Sequence, residues 1–334
     1  MTGLGNFAII YPEMRNKSWL PVVKPSTLQF WREGRNKPGY SWKDWVHGYV
    51  YGRWPYLYIS IGTGEHRLAK LYSSARWEIN QMMDAVAEIE LSGGRETLLE
   101  PVEKPRNGRT FAEGYHGKVM PLESACRLVM VNEDIHIRDL EKVIPYERAR
   151  EILLKNPDHI LALECPCRSA RVHPCLPVDV CLVIGEPFAS FVAEHHPRRS
   201  RWISQVEAVE ILRQEDERGH VHHAFFKDAM LGRYYAICNC CACCCGAMQA
   251  HKRGTPMLAS SGYVNQVDEA MCIGCGDCAE LCQFGALTVK GFTVQINELR
   301  CMGCGVCVSK CEQQALSLRR EPAKGVPLEI MELI

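Results

Sequence analysis

The sequence predicts an α+β protein built from three unlike parts and a short tail. Near the C-terminus a cysteine pattern occurs twice, and each copy precedes a short apolar stretch typical of a strand. The middle mixes strand-like and helical segments and holds eleven cysteines, ten of them in two bunches, whereas the N-terminal third is rich in aromatic residues. At 334 residues the chain exceeds one ordinary domain. We therefore expect an aromatic-rich region at 1–117, a mixed α/β cysteine-rich domain at 118–262, a small α+β domain at 263–320 and a tail at 321–334.

The N-terminal region concentrates six of the seven tryptophans by Trp77 and seven of the twelve tyrosines by Tyr72. The run Tyr49–Ile61 alternates aromatic and aliphatic residues as a strand does, and residues 65–91 carry helical spacing. A Pro-, Gly- and charge-rich stretch, 101–118, predicts an exposed loop. Because Trp and Tyr are favoured anchors of interfaces, we consider partner docking for this region; the alternative is that these rings form its core.

The middle domain carries signals for two helices and a strand. Pro145 predicts a helix through Lys155, since proline is favoured at the first helical position. Asp158–Leu163 is apolar enough for a buried strand that ends in a loop at Cys165. Ser204-x-x-Glu207 is a capping-box pattern that predicts a helix to about Glu217, with Gly219 as its stop.

The C-terminal domain contains an internal repeat. CIGCGDCAELCQFGAL aligns with CMGCGVCVSKCEQQAL at an offset of 29 residues. The apolar stretches Ala286–Val289 and Ala315–Leu318 predict one strand after each copy. Gly274 and its repeat partner Gly303 stand between cysteines, where a backbone with positive φ is accessible to glycine without steric cost.

The eight repeated cysteines have the spacing of iron–sulfur ligands. Three thiolates at i, i+3 and i+6 take three corners of a cube, and in two-cluster domains the fourth ligates the other cube. Zinc also accepts four thiolates, but its ribbons usually show two separated Cys-x2-Cys pairs. We therefore predict two 4Fe–4S clusters, the first held by Cys272, Cys275, Cys278 and Cys311, and the second by Cys301, Cys304, Cys307 and Cys282.

On this motif, residues 264–320 resemble the bacterial dicluster ferredoxin family. The resemblance implies a ferredoxin-like, pseudo-twofold α+β unit whose two cubes lie close enough for electrons to hop between them. One departure is that the proline that usually follows each fourth cysteine is replaced by Gln283 and Glu312. Because charge near the sulfurs sets the potential, Glu312 is expected to lower the potential of one cube.

Ten of the eleven cysteines of the middle domain fall in two bunches and admit three interpretations. They hold one or two additional iron–sulfur clusters, a structural zinc to which His173 contributes, or redox-active dithiols. We favour iron–sulfur, because the chain already carries two predicted cubes. Arg168 and Arg171 either donate hydrogen bonds to cluster sulfurs, bind an anion, or lie on the surface. The candidate ligands are Cys165, Cys167, Cys175, Cys181, Cys238, Cys240, Cys241, Cys243, Cys244 and Cys245. Cys126 stands apart in a helical stretch.

The CPCR loop and the ICNCC segment, together with the cysteine repeat, make residues 118–320 similar to a group of anaerobe iron–sulfur proteins. This resemblance implies electron transfer in an anaerobic pathway. Lys plus Arg and Asp plus Glu both number 39, so no basic excess indicates nucleic-acid binding. The first residues lack a signal-peptide pattern and no apolar run is long enough to span a membrane, so we expect a reducing cytoplasm.

Two classes of function are consistent with these patterns. The first is an electron-transfer protein or subunit that relays low-potential electrons to or from a redox partner or larger oxidoreductase complex. The second is a reductase whose catalytic iron–sulfur centre lies in Cys238–Cys245. A further alternative is a structural zinc in the middle domain beside a simple ferredoxin tail. Electron transfer is favoured, since catalysis needs a demonstrated geometry. The reductase would draw its acid–base groups from His195, His196, His222 and His223.

Overall fold

The fold is centred on a seven-stranded sheet in the middle of the chain. The computed structural model describes residues 23–68, 114–138, 140, 143 and 151–333. The strands are β1 (Tyr115–Met120), β2 (Ile135–Ile137), β3 (Ile152–Leu154), β4 (Ile160–Leu163), β5 (Cys181–Ile184), β6 (Ser200–Ile203), β7 (Val221–Lys227), β8 (Arg233–Cys240), β9 (Leu258–Ala259), β10 (Tyr263–Val267), β11 (Leu287–Lys290), β12 (Thr293–Ile296) and β13 (Leu316–Arg320).

Helices cover both faces of this sheet. They are α1 (Pro25–Asn36), α2 (Trp42–Arg53), α3 (Pro55–Gly62), α4 (Leu122–Val129), α5 (Pro166–Ser169), α6 (Phe188–His195), α7 (Gln205–Glu217), α8 (Gly246–Lys252), α9 (Asp277–Leu281), α10 (Val306–Ser309) and α11 (Ile330–Leu333), with a 3-10 turn at Pro322–Lys324. Helices and strands together give the α+β class that the sequence predicts. Within the described ranges, no helix combines the length and the apolar character needed to cross a bilayer.

The sheet runs in the order β6-β4-β5-β8-β7-β1-β9, and every neighbouring pair is antiparallel except β1 and β9. Successive side chains of a strand point to opposite faces. In β5, Cys181 and Val183 therefore enter one apolar core, while Leu182 and Ile184 enter the other. The first core lies against α1–α3 and α6, and the second contains residues of α4 and α7.

The aromatic run of the N-terminal region is helical, so the strand predicted for Tyr49–Ile61 is wrong. Ser41 accepts a hydrogen bond from the Asp44 amide and starts α2, and Pro55 starts α3. Helix α2 lies close to the turn that follows β7, since a Cβ on Gly48 would lie 2.0 Å from the carbonyl oxygen of Ala229. These local signals and the buried rings outweigh the alternating pattern.

The aromatic side chains of this region contribute to the core of the middle domain. Phe30 is fully buried, with its ring 5.7 Å from that of Phe188 and 5.9 Å from that of Phe191. Tyr51 is buried in the same core. The core interpretation thus applies to these rings. Of the helix predicted at 65–91, residues 69–91 lie outside the described residues.

The strand and the two helices predicted for the middle domain are partly confirmed. The strand ending at Leu163 is confirmed as β4. The helix after Ser204 is confirmed as α7, with the Ser204 side chain accepting from the Glu207 amide. The helix predicted from Pro145 is wrong at its end, because Ile152–Leu154 pairs with β2, and its start lies outside the described residues. The loop predicted at 101–118 is wrong from Tyr115 onward and otherwise lies outside the described residues.

Strand β1 explains that last error. It pairs with β7 on one side and β9 on the other, so long-range pairing rather than local composition determines its structure. The boundary predicted between residues 117 and 118 falls inside this strand.

The C-terminal unit forms two strand pairs, β10 with β13 and β11 with β12. Both strands predicted after the cysteine runs are confirmed, as β11 and β13. Gly274 and Gly303 have φ values of 66° and 64°, as the repeat predicts. The tail returns to the middle domain, because Leu328 and Ile330 are buried in the second core.

Candidate metal centres

Six cysteines lie at one end of three neighbouring strands. The carboxyl end of β4, the amino end of β5 and the carboxyl end of β8 meet there because the strands are antiparallel. Alternation along β8 directs Cys238 and Cys240 to the first core, the face that also takes Cys181. We call these residues the six-cysteine group: Cys165, Cys167, Cys181, Cys238, Cys240 and Cys245.

The thiols of the six-cysteine group form a continuous chain of contacts. The Sγ atoms of Cys181 and Cys238 are 3.9 Å apart, and Cys165 is hydrogen-bonded to both Cys181 and Cys167. Cys245 then connects Cys167 with Cys240. The hydrogen bond with Cys167 and burial raise the pKa of the Cys165 thiol to about 12. A buried thiol with such a raised pKa loses its proton readily only when a metal cation binds the sulfur.

Four further cysteines of the middle domain, Cys175, Cys241, Cys243 and Cys244, form a separate four-cysteine group near the surface. Their Sγ atoms all lie within 4.8 Å of one another. The distance is 3.2 Å from Cys175 to Cys243, 3.6 Å from Cys175 to Cys241 and 3.7 Å from Cys243 to Cys244. His173 is exposed and does not belong to this group. The ten cysteines are thus divided six to four, which their spacing did not indicate.

Arg168 has a different environment from any that the sequence suggested. Its guanidinium is 1% exposed and forms an ion pair with Glu215, which is fully buried. It also donates a hydrogen bond to the carbonyl oxygen of Asn239 at 3.1 Å. Arg168 therefore fastens the loop of Cys165 and Cys167 to α7 and β8, and its charge is neutralised.

Arg171 holds the same loop to two other segments. It forms an ion pair with Glu65, and its Nη2 donates a hydrogen bond to the carbonyl oxygen of Cys244 at 3.2 Å. The side chain is largely buried by these contacts. Both arginines of the CPCR loop are therefore engaged by protein groups.

The histidines expected to act in acid–base chemistry do not line the cavity between the cysteines and the aromatic core. His195 stacks on Phe191 at 4.2 Å, and His196 is hydrogen-bonded to the carbonyl oxygen of Gly52. His222 is hydrogen-bonded to Asn239, and burial lowers the pKa of His223 to about 3. His195, His196 and His222 are thus engaged by other protein groups, outside the lining of this cavity.

Three tyrosines that the sequence patterns did not single out line this cavity. The hydroxyl oxygens of Tyr51 and Tyr235 are 2.9 Å apart, and that of Tyr115 is 3.5 Å from Tyr51. The cavity has a volume of about 90 Å³, and its walls are mostly apolar apart from the cysteines. The alternation in β1 and β8 gave no signal for this cluster, because Tyr51 comes from a helix 64 residues before Tyr115.

In the C-terminal unit, the first four predicted ligands share one environment. Burial raises the pKa of Cys278, and the nearby thiols of Cys275, Cys272 and Cys311 add to the rise. Cys311, the fourth cysteine of the second run, is thus a neighbour of the first run. The ligand assignment itself stays a prediction.

The second set of four predicted ligands also combines cysteines of both runs. Burial raises the pKa of Cys304 to about 12, with smaller contributions from the thiols of Cys282 and Cys301. Burial likewise raises the pKa of Cys307, and the thiols of Cys304, Cys282 and Cys301 add to the rise. Cys282, from the first run, therefore lies beside the second run.

Amide groups point at several of these sulfurs. The backbone N–H groups of Ala286 and Ala315 donate to the Sγ atoms of Cys282 and Cys311 at 3.2 and 3.3 Å. Asn265 donates its side-chain Nδ2–H to Cys307 at 2.9 Å. Such donors stabilise thiolates and tune the potential of iron–sulfur clusters. The donor set of the unit therefore fits two such clusters.

A family model described as a 4Fe-4S dicluster domain matches residues 271–315. This part of the chain is a ferredoxin-type domain. The match covers both cysteine runs and bears out the iron–sulfur interpretation of the repeat in this coarse form. No curated protein matches the chain.

The ferredoxin-type domain is packed directly on the middle domain. Gln283 Oε1 accepts a hydrogen bond from the Ala242 amide at 2.9 Å, and its Nε2 donates to the Gly219 carbonyl at 3.0 Å. Ala242 stands between Cys241 and Cys243, and Gln283 follows Cys282. The residue that replaces the usual proline therefore connects the two cysteine-rich parts. Met302 and Val306 are buried in the first core.

All nineteen cysteines are within the described residues, and none forms a disulfide. Cys126 is half-buried in α4, beside the second core, away from both groups. It offers a matched control for substitutions at the other eighteen.

Proposed function

We propose that this chain is an electron-transfer protein that passes electrons between a partner protein, the two cubes and a further iron–sulfur centre in the six-cysteine group. The contact made by Gln283 carries the proposal. Gln283 follows Cys282, a predicted ligand of the second cube, and is hydrogen-bonded to Ala242, which lies between Cys241 and Cys243 of the four-cysteine group and two residues after Cys240 of the six-cysteine group. Cys304, another predicted ligand of the second cube, also packs against the first core, which belongs to the middle domain.

The first cube is the one placed to meet a partner. Cys275 is exposed, and the surrounding surface carries Ile273 at 60% and Phe292 at 89% exposure. Large apolar side chains left in water around a redox centre are typical of a docking surface. Electrons would then travel between a redox protein or larger oxidoreductase complex, the first cube, the second cube and the middle domain.

The two groups of the middle domain call for different metals. Four thiolates bound tetrahedrally to one ion at about 2.3 Å lie about 3.8 Å from each other, whereas thiolates on four separate irons stand roughly 6 Å apart. The distances of 3.2 to 3.7 Å in the four-cysteine group favour a single zinc or iron ion. Six buried thiols exceed what one ion can take and favour a cluster; the 3.9 Å between the Sγ atoms of Cys181 and Cys238 means that these two share one iron or that one of them is not a ligand.

The experiment is metal analysis of the full chain after anaerobic purification. The two cubes supply roughly eight irons, the six-cysteine group at least about four more, and the four-cysteine group one zinc or iron. Cys301→Ala should remove the signal of one cube and leave the middle centres in place, with Cys126→Ala as the matched control. An iron content near eight, unchanged by substitution of Cys181, would contradict the middle cluster. Absence of iron would refute the whole proposal.

A reducing, anaerobic cytoplasm is the location that agrees with this proposal, because free thiols in such number persist only where disulfides do not form. The balanced charge of the chain offers no electrostatic basis for a nucleic-acid partner.

A further inference from the structure

Main-chain hydrogen bonds to the sulfurs of the ferredoxin-type domain occur in matched pairs that follow the repeat. The N–H groups of Ala286 and Ala315, 29 residues apart, donate to the fourth cysteine of each run at 3.2 and 3.3 Å. The N–H group of Asn265 donates at 3.4 Å to the first cysteine of the second run. That of Val294, again 29 residues further on, donates to the first cysteine of the first run. In these two pairs the backbone treats both predicted cubes alike.

The side chain of Asn265 breaks this symmetry. Its Nδ2 donates a hydrogen bond to the Sγ atom of Cys307 at 2.9 Å, so this residue serves two predicted ligands of the second cube. Its repeat counterpart Val294 packs in one apolar cluster with Cys278, the counterpart of Cys307, and has no side-chain donor. Thr293 lies beside the first cysteine of the first run, but its hydroxyl has no hydrogen-bond partner of normal geometry among the described residues. Within that part of the chain, only the second cube receives a side-chain amide donor.

The contribution of Asn265 to stability does not explain its position. The side chain is 2% exposed, and its Oδ1 has no hydrogen-bond partner among the described residues. A buried amide oxygen without a partner is costly, and Val294 avoids this cost at the equivalent place. Turning the amide round would bring the oxygen against a thiolate, so the N–H group is the one that faces Cys307. The amide is therefore committed to the sulfur.

An N–H group directed at a ligand sulfur changes the reduction potential of a cube. Reduction adds one negative charge to the cluster and its thiolates, so the donor stabilises the reduced form more than the oxidised form. The effect is strong at a buried site, where the local dielectric is low. The amide of Asn265 therefore raises the potential of the second cube. Glu312 is exposed and follows Cys311, a predicted ligand of the first cube, so its charge lowers the potential of that cube.

We propose that Asn265 sets the order of the two reduction potentials, holding the second cube above the first through its hydrogen bond to Cys307. One electron leaves the exposed first cube as the second takes it up, and the second cube lies against the core of the middle domain. Asn265 acts through a ligand, so it is a positioning residue that gives the relay an inward direction. This inference rests on the proposed function, because it requires a cube on each set of predicted ligands.

The test is a reductive titration of the anaerobically purified full chain, followed by electron paramagnetic resonance. Cys301→Ala, which keeps the first cube, identifies the signal of that cube. In the wild type the second cube should be reduced at the higher potential. Asn265→Val introduces the residue found beside the first cube. At a fixed potential, the ratio of reduced to oxidised second cube should then fall about fivefold, as for the loss of one hydrogen bond, and the first cube should not change.

Two further variants separate the effect of the amide from that of packing. Gln266→Val removes an exposed amide at the next position, one that is hydrogen-bonded to Ser317, and should leave both potentials unchanged. Val294→Asn places an amide beside the first cube and should raise the potential of that cube. The latter variant decides the question if Asn265→Val does not assemble the second cube.

A wild type in which the first cube is reduced before the second would overturn the inference. So would an unchanged second cube in Asn265→Val, an equal shift in Gln266→Val, or an unchanged first cube in Val294→Asn. If the proposed function itself fails, the cube signals are missing from the wild type before any titration.

Discussion

Replacing Arg168 should destabilise the protein strongly, although the residue touches no predicted metal ligand through its side chain. Arg168→Met removes the buried guanidinium from the fully buried carboxylate of Glu215, which keeps the partly exposed Arg218 at 3.2 Å and His220 at 2.6 Å as partners. Breaking a buried pair from one side typically costs about 3–5 kcal/mol, because the remaining charge stays dehydrated, and the contact with Arg218 places this variant at the lower end of that range. The variant also loses the hydrogen bond to Asn239 that holds the CPCR loop against β8.

The same reasoning predicts recovery when both partners are removed. In Arg168→Met/Glu215→Leu no buried charge is left unpaired, so the free energy of unfolding should return to within about 1–2 kcal/mol of the wild type. Arg201→Met is the exposed control, since its pair with Glu207 is nearly half accessible and should cost at most about 1 kcal/mol.

The assay is urea unfolding of the anaerobic holoprotein, followed by circular dichroism and by the visible absorbance of the clusters. A single variant that unfolds at the same urea concentration as Arg201→Met would refute the buried-charge argument. So would a double variant that is no more stable than Arg168→Met alone.

Three further predictions follow from other contacts. Gln283→Ala removes two hydrogen bonds between the ferredoxin-type and middle domains, so it should destabilise the protein by about 2 kcal/mol. It should also slow reduction of the centre in the six-cysteine group, as measured by rapid-mixing absorbance. Gln266→Ala is the control and should do neither, because the Gln266 amide is exposed and hydrogen-bonded to Ser317. Phe292→Ser should weaken turnover with a reducing partner protein yet change the free energy of unfolding by less than about 0.5 kcal/mol, and unchanged partner kinetics would argue against this docking surface. Burial raises the pKa of Glu215, but hydrogen bonds from His220 and the charge of Arg168 hold it below the ordinary carboxyl value; its stabilisation is therefore present above about pH 4.3 and lost as pH falls, so acid unfolding should be shallower in Arg168→Met/Glu215→Leu.

Local patterns were sufficient where the physical cause is local. The cap at Ser204 predicted the start of α7, because it depends on four consecutive residues. The aromatic run of Tyr49–Ile61 misled because alternation of large rings also fits two short helices that pack on a sheet. For β3 the decisive interaction is pairing with β2, which no window around Ile152 contains.

By itself the sequence determined that this chain carries a ferredoxin-type repeat, because each cysteine run is one short loop whose ligand chemistry is a matter of spacing. Only the tertiary structure decided how the ten candidate ligands of the middle domain are grouped. Cys175 joins Cys241, Cys243 and Cys244 across more than sixty residues. Cys181 meets Cys238 because β5 and β8 are neighbours in the sheet. It also decided the roles of Arg168, now a buried ion pair, and of Gln283, the link between the domains. Such contacts join strands and loops distant along the chain, and so only the folded arrangement brings them together.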